Sequence, residues 1–316
     1  MSLAEKTVND PSPWTVGRLL DWTAGHFAKL GLDSPRLDAE VLLGHALSCP
    51  RIQLYAHYDV EVGDADRTRF RELVRRRGDR APIAQLVGER EFYSLAFHVG
   101  ADVLIPRPET EILAGEAIRR ARENGARTFL DLGTGSGALA VTIAKRVPES
   151  NVVAVDFSEA ALAVARRNAA RHEVAARIEF LQGDWFEPVA GRTFDVVVSN
   201  PPYVADAEWE ALDPEVRRHE PKLALVGGVD GLNAVRRIVA AAPPFVAPGG
   251  MLAIEIGAGQ AEAGLELLRD RPEWEAPIVL KDFAKLPRVL RAFRPGGAPA
   301  APPDAETGQD AAAAGE

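Results

Sequence analysis

The sequence predicts an α/β protein: a doubly wound, mostly parallel seven-stranded sheet with helices on both faces, preceded by an all-α helical domain. Two observations carry this reading. From Thr128 onward, apolar β-branched runs alternate with amphipathic segments, as parallel strands joined by crossover helices do. From Trp14 to Arg80, apolar residues recur instead at helical spacing.

Taken in order, Thr15 caps a helix carrying Leu19, Leu20, Phe27 and Leu30, which Gly31 ends. Ser34 followed by Pro35 signals a second helix with Leu37, Val41 and Leu42, stopped by Pro50. Asp64 caps a third, in which Phe70, Leu73 and Val74 form an apolar stripe before Gly78. Residues 1–80 are therefore expected to form a helical domain. Residues 81–108, rich in β-branched and aromatic side chains with glycine at turn positions, read as a linker with a short hairpin.

Residues 109–294 then supply the strands "TFLDLG", "VVAVDF", "IEFLQGD", "FDVVVSN", "MLAIEIG", "PIVLKD" and "PRVLRAF". The last two, within Pro277 to Phe293, are separated by only a short loop and predict an antiparallel edge. The tail 295–316 is rich in Pro, Ala and Gly, lacks large apolar groups, and is expected to be disordered.

Composition narrows the function. A length of 316 residues suits about two domains. The net charge of −9 gives no global attraction to polyanions, so no nucleic-acid partner is expected. One cysteine, Cys49, cannot form an internal disulfide, and no Cys/His spacing resembles a metal site. The N-terminus lacks the charged-then-apolar pattern of an export signal, so a cytoplasmic protein without a membrane partner is expected, acting as a monomer.

The first βα turn reads "LDLGTGSGALA". Gly133, Gly135 and Gly137, with Thr134 and Ser136 between them, let the backbone turn tightly and approach a ligand at the following helix N-terminus. About 20 residues on, Asp156 ends the second strand, where a carboxylate can accept from both ribose hydroxyls. A nucleoside-containing cofactor is implied. Its identity is open at this point, because Gly133-x-Gly135-x-x-Ala138 also satisfies a relaxed dinucleotide fingerprint. Asp131, just before the loop, favours the ammonium of an amino-acid moiety over a pyrophosphate. After the third strand, Asp184 is placed to accept from an adenine amino group and Trp185 to stack on the ring.

The fourth strand ends in Asn200-Pro201-Pro202-Tyr203, beside the point where ligands bind in a doubly wound sheet. Prolines donate no N–H and fix φ, so the carbonyls of Asn200 and Pro201 need not join the ladder. The Asn200 side-chain oxygen and the Pro201 carbonyl can both accept from one planar NH2 group, with Tyr203 against its π face. Such a clamp suits methyl transfer to an amide or amino nitrogen.

On these residues the sequence resembles the protein-(glutamine-N5) methyltransferases that modify peptide-chain release factors, the HemK-like or PrmC family. The likeness runs from Ser34 to Phe293 and rests on "LIPRPETE" (104–111), "LDLGTGSGALA" (130–140), "AVDFS" (154–158), "GDWFEP" (183–188), "SNPPYV" (199–204), "HEPKLALVGGVDGL" (219–232) and "PGGMLAIEIG" (248–257). It implies a class I, Rossmann-like methyltransferase domain with S-adenosylmethionine as donor and the glutamine of a release factor's Gly-Gly-Gln loop as acceptor. By position, Gly133 to Gly137 would wrap the methionine part, Asp156 hold the ribose, Trp185 lie by the adenine, and Asn200 to Tyr203 hold the amide. The helical domain would dock the release factor. "KDFAKLPRVLRAF" departs from the family, which usually shows Gly or Asp before the Arg-Val pair, and is expected to alter an edge hairpin only.

Arg75, Arg76, Arg77 and Arg80 read as a solvated cationic helix end, with contact to an acidic face of the release factor as the sharper alternative. Two competing functions remain: an N6-adenine methyltransferase of DNA or RNA, which would flip its base into the same clamp, and a glutamine methyltransferase of a ribosomal protein. A non-enzymatic nucleotide-binding domain leaves the Asn200 to Tyr203 segment unexplained.

Overall fold

The computed structural model describes residues 13–296; the Pro/Ala-rich tail lies almost wholly outside the described residues. Four helices open the chain: α1 (Val16–Lys29), α2 (Pro35–Ala46), α3 (Arg51–Ala56) and α4 (Asp64–Gly78). Their apolar stripes meet in one core around Leu20, Phe27, Leu42, Leu43, Leu54 and Phe70. The Thr15 hydroxyl accepts from Arg18 N at 3.3 Å, so the expected cap is made. Gly31 turns the chain in the left-handed region, φ +66°.

Two boundaries differ from the sequence reading. Pro50 does not stop α2, which ends at Ala46; it precedes α3, a helix the sequence did not announce. Asp64 is the first helical residue instead of the cap, because Gly63 takes the extended cap conformation. The Asp64 carboxylate then pairs with Arg67 within the first turn.

Residues 81–108 hold more than a hairpin. A one-turn helix α5 (Ile83–Val87) precedes β1 (Glu89–Phe92) and β2 (Leu95–His98), which pair antiparallel through a two-residue turn at Tyr93-Ser94 with both φ positive. Ala81 and Leu86 bury in the helical core, while Phe92 and Phe97 bury in the core under the sheet. The segment is thus built into both units.

The rest alternates α6 (Glu111–Asn124), β3 (Thr128–Leu132), α7 (Ala138–Arg146), β4 (Asn151–Asp156), α8 (Glu159–Arg171), β5 (Ile178–Gln182), β6 (Phe194–Ser199), α9 (Pro214–His219), α10 (Asn233–Ala241), β7 (Val246–Glu255), α11 (Ala261–Arg269), β8 (Glu275–Lys281) and β9 (Pro287–Phe293). The seven strands order β5-β4-β3-β6-β7-β9-β8. All pairings are parallel up to β7, and β9 runs antiparallel to both β7 and β8. The closing hairpin is therefore inserted with its second strand inside and β8 on the edge. Its turn is held by Asp282, which accepts from Leu286 N at 2.8 Å and from Arg288 at 2.9 Å.

Both faces of the sheet are covered. Val196, Val198, Met251 and Ala253 point into one core, and Val197, Leu252 and Ile254 into the other. That two-sided burial is why these strands read as unbroken apolar runs. The chain leaves β3 toward β4 on one side and reaches β6 and β7 on the other, so the ends of β3 and β6 flank a topological switch point.

Candidate active site

At that switch point the carboxyl ends of β3, β4, β5 and β6 open into a cavity of about 560 Å³. Its wall includes the glycine loop, Asp156, Asp184, Trp185, Asn200 and Pro202. The sequence-predicted residues from four separate strand ends are thus brought together.

The loop is fixed from below. Gly133 N and Thr134 N both donate to Val155 O, at 2.9 and 3.0 Å. Gly137 caps α7 with φ +80°, and a Cβ there would press on Ala165 at 3.0 Å. Only glycine allows α7 to start so close to α8.

Asp156 joins the two halves of the wall. Its Oδ2 accepts from Gly135 N at 2.8 Å and its Oδ1 from Ser158 N at 2.9 Å. Burial pushes the carboxyl up, and the backbone N–H groups of Ser158, Gly135 and Phe157 pull it back. Each oxygen keeps a second lone pair for a ligand hydroxyl.

Asp131 is fully buried beneath the loop, is not among the residues lining the cavity, and has no partner at Oδ1. Its Oδ2 accepts from Thr134 Oγ1 at 2.7 Å and from Ala140 N at 3.2 Å, so it braces the loop against α7. Burial above all, with Asp156 nearby adding to it, pushes its carboxyl up to about 7.

Asp184 and Trp185 both face the cavity. Asp184 already pairs with Arg237 at 2.7 Å, sharing its acceptor capacity. Trp185 is held at φ +52°, a left-handed conformation that is strained for a bulky residue and puts its ring over Gly133. Exposed Phe157 adds a second aromatic ring to the wall, one the sequence reading did not single out.

Of the clamp, Asn200 and Pro202 line the cavity, while Pro201 is buried and Tyr203 half-buried next to them. Asn200 Nδ2 donates to Thr110 Oγ1 at 3.0 Å. Asn200 Oδ1 is buried and has no partner. A buried amide oxygen without a donor costs about 1–3 kcal/mol, and this one keeps its full capacity to accept a hydrogen bond. The segment is held from outside by Gln260, whose Nε2 donates to Tyr203 O at 2.9 Å.

Behind the clamp lies Glu255, at the end of β7 and 1% exposed. Its Oε2 is buried and has no hydrogen-bond partner. Burial pushes it up to about 7. Thr110 and Glu255 lie within "LIPRPETE" and "MLAIEIG", where the sequence assigns neither a role. The available signal was a carboxylate closing an otherwise apolar strand.

The arginine cluster separates on inspection. Arg75 pairs with Glu72 and Asp79 at the surface, as a solvated helix end does. Arg77 does not: it is buried and bonds Asp38 at 2.8 Å, Glu215 at 2.6 Å and Ala81 O at 3.1 Å. Arg80 donates to Leu30 O at 2.7 Å and closes the end of α1.

The cavity thus gathers aromatic rings, the Asp156 carboxylate with open lone pairs and the unpartnered Asn200 Oδ1 on one wall. A family model described as "Methyltransferase small domain" matches residues 111–213, and one described as "PrmC N-terminal domain" matches 18–88. A protein of Rhodopirellula baltica named release factor glutamine methyltransferase is 45% identical over 290 residues, 90% of this chain and 98% of that one. Its namesake in Geobacter sulfurreducens is 46% identical over 255 residues, covering 81% and 88%. In Chlorobaculum tepidum the figures are 41% over 286 residues, 88% and 96%. Among the described residues no helix is long and apolar enough to cross a membrane.

Proposed function

The chain belongs to the release factor glutamine methyltransferase family, and on that premise we propose that it methylates the side-chain amide N5 of the glutamine in a release factor's Gly-Gly-Gln loop, using S-adenosylmethionine. When bound, that cofactor supplies an electrophilic methyl group. Gly133, Thr134, Gly135, Ser136 and Gly137 wrap its methionine part, Asp156 accepts from the ribose hydroxyls, and Asp184 and Trp185 hold the adenine.

The observation that carries the reading is the buried, unpartnered Oδ1 of Asn200 on the cavity wall. An amide nitrogen is a poor nucleophile because its lone pair is delocalised. As it attacks, positive charge grows on its N–H groups, and acceptors placed on those hydrogens stabilise that charge. Asn200 Oδ1 is one acceptor and the Pro201 carbonyl the second, with Tyr203 flanking the amide. Holding the nitrogen in line is itself worth as much as ~7–11 kcal/mol of barrier. No side-chain base is required at the start, because the nitrogen becomes far more acidic once it carries the methyl group.

The helical domain docks the body of the release factor, for which Ile52 and Tyr55 offer exposed apolar surface. The test is transfer of a labelled methyl group from S-adenosylmethionine to a purified release factor, to its glutamine-to-alanine variant, to the ribosomal-protein substrate class, and to duplex and single-stranded DNA. Label on the intact release factor alone supports the reading. Equal label on the alanine variant, or label on DNA, overturns it.

A further inference from the structure

Asn200 and Pro201 can act as acceptors only if the segment that carries them keeps its place, and its own sequence gives it few means to do so. Pro201 and Pro202 donate no N–H, so two successive residues cannot tie themselves to a neighbouring strand. Upstream the chain is fixed by β6, where Ser199 pairs with both Leu132 and Ile254 and its hydroxyl donates to Leu132 O at 2.8 Å. Downstream, Val204 N donates to Leu225 O at 2.8 Å. Between them the Tyr203 carbonyl takes its donor from a side chain, Gln260 Nε2, at 2.9 Å.

The same Nε2 donates to Asp230 O at 3.1 Å, and Gln260 Oε1 accepts from Gly257 N at 2.9 Å. Both amide hydrogens thus go to carbonyls and the amide oxygen receives an N–H, so only one orientation satisfies all three groups. Three segments meet on this one carboxamide: the chain just after β7 at Gly257, the clamp at Tyr203, and the glycine turn 227–231 at Asp230. The turn closes tightly on the clamp. A Cβ on Gly231 would overlap Tyr203 O and Gln260 Nε2, and one on Gly227 would overlap Pro202 O.

Resting on the clamp reading above, we propose that Gln260 is a positioning residue for methyl transfer: by donating to Tyr203 O and Asp230 O while Gly257 N holds its oxygen, it fixes the downstream end of the clamp and with it the Asn200 and Pro201 acceptors. Gln260 is not among the residues lining the cavity, so it acts through Tyr203. Its two donors are what matters. An ionised glutamate of the same length keeps the acceptor for Gly257 N but sets negative oxygen against two carbonyls, and methionine fills the space without bonding any of the three.

The experiment measures kcat and KM for the release factor, Kd for S-adenosylmethionine and melting temperature in Gln260→Met, Gln260→Glu, Asn200→Ala and the Asn200→Ala/Gln260→Met pair. Well below the melting temperature, kcat should fall roughly 10- to 100-fold in Gln260→Met, with Kd within about twofold, since a displacement of about 1 Å in a reacting geometry has effects of this size. Gln260→Glu should be as slow at about pH 8 and should recover part of its rate relative to wild type toward about pH 5, where a protonated carboxyl regains one donor. Gln260→Met should show no such recovery. The double variant should fall short of the product of the two single effects, because both act on one clamp. A folded Gln260→Met enzyme with unchanged kcat and only a lower melting temperature, a Gln260→Glu enzyme without recovery, or a double variant at the full product overturns the proposal. Should Gln260→Glu fail to fold, Gln260→Met and the double variant decide alone. Unchanged kcat in Asn200→Ala would overturn the clamp reading itself, a different result from the failure of Gln260.

Discussion

Arg77 and Glu215 meet at 2.6 Å, one on α4 of the helical domain and the other on α9 of the sheet domain. Arg77 also holds Asp38 of α2, so three elements converge on one buried guanidinium. Burial pushes the Glu215 carboxyl up while Arg77 pulls it down. Gln85 Nε2, donating to His219 O at 2.9 Å, adds a second tie across the same seam. Removing one partner leaves the other charges buried and unpaired. Arg77→Met should cost about 3–5 kcal/mol of stability. Arg75→Met, at the surface, should cost less than about 1 kcal/mol. Denaturant unfolding of the two variants checks this; equal effects would mean the buried pair is not a seam.

Asn200→Ala removes the open acceptor and leaves the cofactor side of the cavity untouched. Methyl transfer should slow by about 2–4 kcal/mol of barrier, with Kd for S-adenosylmethionine unchanged. Single-turnover rates beside calorimetric Kd values separate the two quantities.

Asp156→Ala should act the other way. It removes the proposed ribose acceptor and also frees Gly135 N, which Asp156 holds at 2.8 Å. Cofactor binding should weaken by about 1.5–3 kcal/mol, the scale of a hydrogen bond to a charged group. An unchanged Kd would mean the ribose lies elsewhere.

Glu255 predicts a pH dependence with a definite sign. Its carboxyl is pushed up to about 7 by burial and by Glu109, against Thr110, Arg288 and Tyr203. An acid whose folded value is raised from 4.5 favours folding while protonated. That contribution is full below about 4.5 and is lost as pH rises through about 7. The melting temperature should therefore drift down as pH rises toward 7, a trend that Glu255→Gln should flatten.

Gly231→Ala tests the support behind Tyr203. Gly231 lies at φ +75°, and a Cβ there would overlap the Tyr203 carbonyl and the Gln260 amide bonded to it. Strain of about 1–3 kcal/mol is expected, seen as a lower melting temperature together with slower transfer. Full activity would show that Tyr203 can shift freely.

The strands were legible because both faces of each are buried, so local composition and tertiary position agree, as in "FDVVVS" and "MLAIE". That the glycine loop, Asp156 and Asn200 would share one wall was legible because each closes a strand beside the switch point of a doubly wound sheet. The end of α2, the short α3 and the cap of α4 were not, since weak local signals there yield to packing.

What the sequence determined by itself was the set of strands, the glycine turn after β3 and the chemical types that close the strands around the cavity. Only the tertiary structure decided that Asp131 braces the loop from below, that Arg77 is an internal tie and not a solvated end, and that Thr110 anchors the Asn200 amide. Thr110 and Asn200 are separated by 90 positions, and Arg77 and Glu215 by more. Hydrogen-bond polarity between such groups depends on which neighbour each one meets, and burial sets its cost; neither is written in any one segment.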